Sequence, residues 1–226
     1  VIAPQDEKVM ALLLNRCREF GIPPIVVDPS RQGLAEAGTA QHQDLKVSLK
    51  GEHQRVNAST AVHVVELLRH WRHQVPDEAI VKGLKQARWP GRFEVLQKKP
   101  VVIVDSAHNA ASARVLAKTV ADGYSGRTVT LVLGVSLDKD IQGMARELKA
   151  MAARVILTRA NHPRAYTFGR SEATELFPDK EWSVTQTVNE AMDLALSKAK
   201  DNDVVVVAGS VFVIAEARER CINTGH

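Results

Sequence analysis

The sequence predicts an α/β fold whose larger block is a Rossmann-like, mainly parallel sheet. Three observations predict it. Val101-Val-Ile-Val runs into Asp105 and then a short polar turn. Four consecutive apolar β-formers need both faces covered, as in a parallel sheet. Val204–Val207 repeats the pattern and ends in Ala208-Gly209-Ser210. Between these two runs, strand-like and helix-like segments alternate strictly, the pattern of parallel strands joined by crossover helices.

Taken in order, a first block spans residues 1–89. Asp6 can cap a helix over 7–20, with Val9, Leu13, Cys17 and Phe20 on one face. Ile25–Val27 is a short strand. Residues 28–43 are rich in Gly, Pro, Ser and Gln and form a loop. Leu45–Leu49 alternates, as a half-exposed strand does. A long helix over 55–74 turns Ala58, Ala61, Val65, Leu68 and Trp71 to a core, and Pro76-Asp77 opens another over 77–87. Trp89-Pro90-Gly91 is the linker, because Pro90 stops a helix and Gly91 permits a turn.

The second block, 90–226, has strands at Val101–Asp105, Thr128–Val135, Arg154–Thr158, Trp182–Val184 and Val204–Ser210. Its helices are expected over 109–122, 140–150, 171–177, 187–200 and 212–220. The chain opens without Met, at Val-Ile-Ala-Pro, in what reads as the end of a strand, which suggests a segment that begins inside a fold.

Composition narrows the function classes. Apolar residues make up 45% of the 226, enough for a packed core, so disorder is not expected. Aromatics are only 4%, too few for a base-stacking surface, and the net charge of +4 comes from scattered Lys and Arg. Nucleic-acid binding is therefore not expected, whereas a nucleotide or other polyanionic substrate suits the basic balance. No apolar run approaches the roughly 18 residues of a membrane span. Cys17 and Cys221 lie far apart in no metal or redox spacing, which fits reduced thiols in a cytoplasmic protein. The sequence has no GxGxxG fingerprint and no Gly-Lys dipeptide, hence no P-loop of its own.

Five stretches carry candidate chemistry. Asp105 ends a parallel strand, where open α/β sheets place ligands, and His108 and Asn109 follow at once. Asn109 or Ser106 can cap the next helix, whose free N–H groups favour an anion. Asn57, in Gly51-Glu-His-Gln-Arg-Val-Asn57-Ala, offers an amide that can pair with a base edge, although an ordinary polar helix start reads the same way. Arg92 lies just past the linker and can clamp a phosphate, or simply pair with Glu94 at the surface. At 4 Å and an effective dielectric near 20, one such phosphate contact is worth roughly 4 kcal/mol before desolvation. Arg164, in Asn161-His-Pro-Arg164, can take a carboxylate. Gly209 permits close backbone approach and Ser210 offers a hydroxyl, or the pair is only a tight turn. His63, His70 and His73 share a helix but read as a solvated face.

Four of these stretches, in this order and spacing, resemble folylpolyglutamate synthase / dihydrofolate synthase, of the Mur-type ATP-dependent amide ligases. They are Gly51-Glu-His-Gln-Arg-Val-Asn57-Ala, Trp89-Pro-Gly-Arg92-Phe-Glu, Asp105-Ser-Ala-His108-Asn109 and Gly209-Ser210. The resemblance implies that residues 1–89 are the last part of a Mur-type central ATP-binding domain and 90–226 the C-terminal α/β domain. It implies a ligase that adds L-glutamate to folate, and to dihydropteroate in some members, through an acyl phosphate. ATP and Mg²⁺ serve as cofactors, the metal ligands belonging to the family's N-terminal half. Such an enzyme is cytoplasmic and monomeric at full length. By the same resemblance Asn57 is the adenine contact, Arg92 reaches the phosphates and Asp105 faces the nucleotide. His108 and Ser210 hold the incoming glutamate, and Arg164 is similar to an Asn-Pro-Arg loop that reads an amino-acid carboxylate. None of these is a metal ligand or a proton-transfer catalyst. Ser106 and Ala110 stand where the family commonly has Gly and Pro. Two other readings compete: a different Mur-type amino-acid ligase, and a non-catalytic Rossmann-like nucleotide-binding module.

Overall fold

The computed structural model describes residues 1–28 and 46–223 and divides them into two compact units, Val1–Arg88 and Trp89–His226. The loop expected over 28–43 lies, from residue 29 on, outside the described residues, as does Leu45.

In the first unit, helix α1 (Glu7–Glu19) follows Asp6, helix α2 spans Glu52–His70 and helix α3 spans Asp77–Gln86. The strand expected at Ile25–Val27 is reduced to one parallel bridge between Ile2 and Val26. Residues 46–49, expected as a strand, form none. Instead Ser48 N–H donates to Leu84 O, so this segment is tied to the end of α3 rather than to a sheet. Helix α2 starts earlier than expected, because Gly51 adopts a positive φ of 107° and turns the chain into it. Its buried row is also rotated. Gln54, Ala58, Val62 and Glu66 are buried at i, i+4 spacing, while Ala61 is exposed and Trp71 is 68% exposed. Of the expected row Ala58 is buried and Val65 and Leu68 are half-buried; the pattern missed the centre of the buried face because two of its four positions are polar. Glu66 is held by Arg69 Nη1 at 2.9 Å, and Arg69 also donates to Asp77 at 2.6 Å and Val75 O at 2.8 Å. Of the three histidines expected to share this helix, His63 and His70 lie on α2 and each place Nδ1 on the carbonyl four residues earlier, whereas His73 lies beyond its end.

The second unit is a six-stranded sheet in the order β1-β2-β6-β3-β4-β5. Its strands are β1 Glu94–Lys98, β2 Val101–Val104, β3 Val129–Leu133, β4 Arg154–Leu157, β5 Glu181–Val184 and β6 Val204–Ala208. All neighbours are parallel except β1, an antiparallel edge strand on β2 that the sequence pattern did not reveal. The helices are α4 Ala110–Gly123, α5 Ile141–Leu148, α6 Arg170–Leu176, α7 Val188–Lys198 and α8 Val211–Asn223.

Strand residues alternate between two apolar layers. Ile103, Leu131, Leu133, Val155, Leu157, Val204 and Val206 pack with α4, α5 and α6. Val102, Val104, Val132, Ile156, Val205 and Val207 pack with α7 and α8. Both faces are thus closed, which is why the runs at Val101 and Val204 can be apolar at every position. Each fully buried aliphatic side chain here contributes roughly 1.5–3 kcal/mol.

The topology places the site. Loops leaving β2 and β3 run to helices on the α4–α6 face, whereas the loop leaving β6 runs to α8 on the opposite face. Strand β6 sits between β2 and β3. The loops therefore part on either side of its C-terminal end, the position where open α/β sheets form a ligand crevice.

Candidate functional site

The strand ends are stitched together by backbone bonds. Asp105 N–H donates to Val207 O at 3.0 Å, Gly209 N–H to Ala107 O at 2.9 Å, and Gly134 N–H to Ala208 O at 3.2 Å. Gly209 is required here. Its φ is +109°, and an added Cβ would run into Gly134 O and come within 2.9 Å of Leu133 Cδ1. The structure thus brings the Asp105–Asn109 loop and the Gly209–Ser210 turn side by side.

Asp105 is 9% exposed, and both carboxylate oxygens are used inside the protein. Oδ2 accepts from Phe93 N–H at 2.8 Å and Oδ1 from Ala107 N–H at 2.9 Å. It therefore ties two loops together, a role that no spacing in the sequence records. Ser106 N–H in turn donates to Gly91 O at 2.8 Å. These two bonds carry the 89–93 turn to the end of β2. In that turn Gly91 has φ +75° and Phe93, buried, has φ +44°. Ser106 is not among the residues with positive φ, so its Cβ causes no strain in the loop.

Arg92 projects from the turn and is exposed, and its guanidinium makes no hydrogen bond or ion pair with any described residue. The surface pairing with Glu94 that its spacing allowed does not form. Glu94 instead accepts from Gly91 N–H and from Arg218 of α8.

His108 is exposed at the start of the loop into α4. Its Nδ1 lies 2.9 Å from Ser106 O. A carbonyl only accepts, so Nδ1 carries a proton, and the tautomer with Nδ1–H leaves Nε2 as an acceptor facing solvent. Asn109, rather than Ser106, caps α4. Its Oδ1 accepts from Ser112 N–H at 2.8 Å, and Asn109 N–H donates back to Ser112 Oγ.

Ser210 is only 5% exposed, and its Oγ accepts from Phe212 N–H at 3.2 Å. It starts α8 and keeps one O–H to donate. The β4–α6 loop folds over the same edge. Leu137 N–H donates to Arg164 O and Tyr166 N–H to Val135 O, each at 2.9 Å. His162 stacks on Phe212 of α8, centroids 3.6 Å apart, and the exposed Arg164 lies 5.9 Å from the same ring. Beside it, Lys139 holds the Asp138 carboxyl below the usual range, with Arg164 adding to the effect. The sequence did not single out Asp138, Lys139 or Phe212.

Asn57 lies in the other unit, exposed on α2, with Nδ2 donating to Gln54 Oε1 at 3.2 Å. Among the described residues no group of three or more His, Cys, Asp or Glu side chains could hold a metal ion. No helix among them is long and apolar enough to cross a membrane.

Residues 91–211 match the Mur ligase, glutamate ligase domain family. A probable bifunctional folylpolyglutamate synthase/dihydropteroate synthase from Halobacterium salinarum is 37% identical over 185 residues, covering 79% of this chain and 21% of that protein. A dihydrofolate synthase/folylpolyglutamate synthase from Bacillus subtilis is 30% identical over 180 residues, again 79% of this chain and 41% of the relative. Among solved structures, the Mycobacterium tuberculosis folylpolyglutamate synthase complexed with ADP and AMPPCP superposes with a TM-score of 0.85 at 27% identity. That match covers 97% of this chain and 54% of the other. The chain therefore spans about half or less of the relatives it matches. With more than half of its own length inside the family match, the chain belongs to the Mur ligase family and carries the glutamate ligase domain at residues 91–211.

Proposed function

We propose that this chain serves an ATP-dependent ligase that adds L-glutamate to folate, with dihydropteroate as a second acceptor. Residues 1–89 are read as the end of its central ATP-binding domain and 90–226 as its glutamate ligase domain. The observation that carries the reading is the joining of the Asp105–Asn109 loop to the Gly209–Ser210 turn at the parting of loops around β6, within a chain of this family.

In this reaction the acceptor carboxylate attacks the γ-phosphorus of ATP, forming an acyl phosphate and releasing ADP. The glutamate amino group then attacks the acyl carbon, its excess proton passes to solvent, and phosphate leaves. Mg²⁺, held outside the described residues, would offset charge on the phosphoryl oxygens. This chain's own residues bind and orient. Arg92, exposed and unengaged by the described residues, reaches the phosphates. Asp105 holds the turn that carries Arg92, which replaces the direct nucleotide contact expected of it. His108 Nε2 accepts an N–H from the incoming amine. Ser210 donates its remaining O–H to a glutamate carboxylate, and Arg164 takes a carboxylate at the rim. The Asn57 amide pairs with the adenine edge.

The test supplies the full-length protein carrying this chain with ATP, glutamate and either reduced folate, dihydropteroate or a nucleotide-linked peptide. ADP release and product mass are then followed. Glutamate added to the folate is the expected result. ADP release only with the peptide acceptor would assign a different Mur-type ligase, and none with any acceptor would leave a non-catalytic module.

A further inference from the structure

Glu94 and Arg218 lie 124 positions apart in sequence, yet one N–H of Arg218 is shared by both oxygens of the Glu94 carboxylate. Arg218 Nε on α8 stands 3.0 Å from Glu94 Oε1 and 3.2 Å from Oε2. The same carboxylate accepts Gly91 N–H at 2.8 Å. One turn earlier on α8, Ile214 Cδ1 occupies the space beside Gly91 and would lie 2.6 Å from any Cβ added there. Ile214 and Arg218, four residues apart on one face of α8, therefore bear on both ends of the segment 91–94. Asp105 fixes its middle through Phe93 N–H, and Ser106 fixes Gly91 O.

The segment needs this hold. Gly91 and Phe93 both have positive φ, and for a bulky side chain such as Phe93 that conformation is costly and persists only when its surroundings impose it. Arg92 sits between them with its own side chain unengaged by the described residues. Its backbone therefore sets where the side chain starts and the direction of its Cα–Cβ bond, and the backbone is set by groups elsewhere in the unit. The helix that supplies the hold, α8, begins at Val211 directly after Ser210, so one element bears on both the Ser210 turn and the Arg92 turn.

We propose that Glu94, clamped by Arg218, is a positioning residue that acts through Arg92, aiming its guanidinium at the phosphate being transferred. The proposal rests on the reading of Arg92 as the phosphate contact.

The test is a double-mutant cycle in the full-length protein, reading kcat and the KM for glutamate in the glutamate-addition assay. Arg92→Ala is expected to lower kcat about 100-fold. Glu94→Ala is expected to lower it about 10-fold by misplacing the arginine, with KM for glutamate unchanged. Glu94→Gln, which keeps an acceptor for Gly91 N–H, recovers most of that loss. In the Arg92→Ala background, Glu94→Ala has no further effect on kcat, because the group it positions is gone. If Glu94→Ala does not fold, Arg218→Met is read in the same way. A silent Arg92→Ala would remove the phosphate reading of Arg92 and this inference with it. A strong Arg92→Ala with a silent Glu94→Ala, or with losses that simply add, would overturn the positioning role alone.

Discussion

In residues 89–226 the inner strands β2, β3 and β6 bury every side chain, whereas α1 in residues 1–88 buries none. The two units hold themselves together by different means. The larger closes two apolar layers over a sheet. In the smaller, α2 buries Gln54 and Glu66 as well as Ala58 and Val62, and its contact with α3 runs through Glu66, Arg69 and Asp77. Val9, Leu12 and Leu13 of α1 and Phe20 at its end remain exposed. The difference teaches that an apolar layer closed on both faces is self-sufficient. The Arg69–Asp77 pair, whose carboxylate is open to solvent, adds little to stability on its own.

The sharpest way to break this comparison is to separate the units. Residues 89–226 expressed alone should unfold in one cooperative urea transition, and residues 1–88 alone should show none, as followed by circular dichroism. A cooperative transition from 1–88 would refute the contrast. Within the intact chain, Leu131→Ala should cost about 2–5 kcal/mol in the urea midpoint, because it empties a fully enclosed position. Leu13→Ala, on the exposed face of α1, should stay within about 0.5 kcal/mol. The smallest effect is acid sensitivity. Arg114 holds the Glu147 carboxyl below its ordinary value. A lowered native value gives stability that is complete above the unfolded value and is lost as pH falls toward the native one. From about pH 5 downward, Glu147→Gln should therefore flatten the fall of Tm slightly, and above that range it should leave Tm a little lower.

Much of the larger unit was legible in the sequence because its signal is redundant. Val101–Val104 and Val204–Val207 are apolar at every position, and only a strand covered on both faces permits that. Strand β1 was not legible. It is an edge strand with Glu94, Gln97 and Lys98 among its five residues and irregular pairing between Val95 and Gln97. The buried face of α2 was hidden for the converse reason, since Gln54 and Glu66 do not look like core. At the site, the types and order of Arg92, Asp105, His108 and Ser210 were readable, but their local partners were not. Asp105 is engaged by backbone amides, which every residue except proline offers, so no pattern marks them. Glu94 pairs with Arg218 from the far end of the unit, so the neighbouring Arg92 was the nearer but wrong partner to expect.

The position of β6 has a consequence for how the molecule is made. Val101 pairs with Val204, and Val129 with Val204 on the other side, so the middle of the sheet is filled by its last strand. Until that strand emerges from the ribosome, β2 and β3 have no common neighbour, and each keeps an open, apolar edge. Such late, non-local pairing slows folding and leaves the nascent chain prone to association. The same strand ends in Gly209 and Ser210. Joining β1-β2 to β3-β4-β5 and completing the site are thus one event, and a chain that stops before Val204 leaves two separate pieces of sheet with no Gly209–Ser210 turn between them.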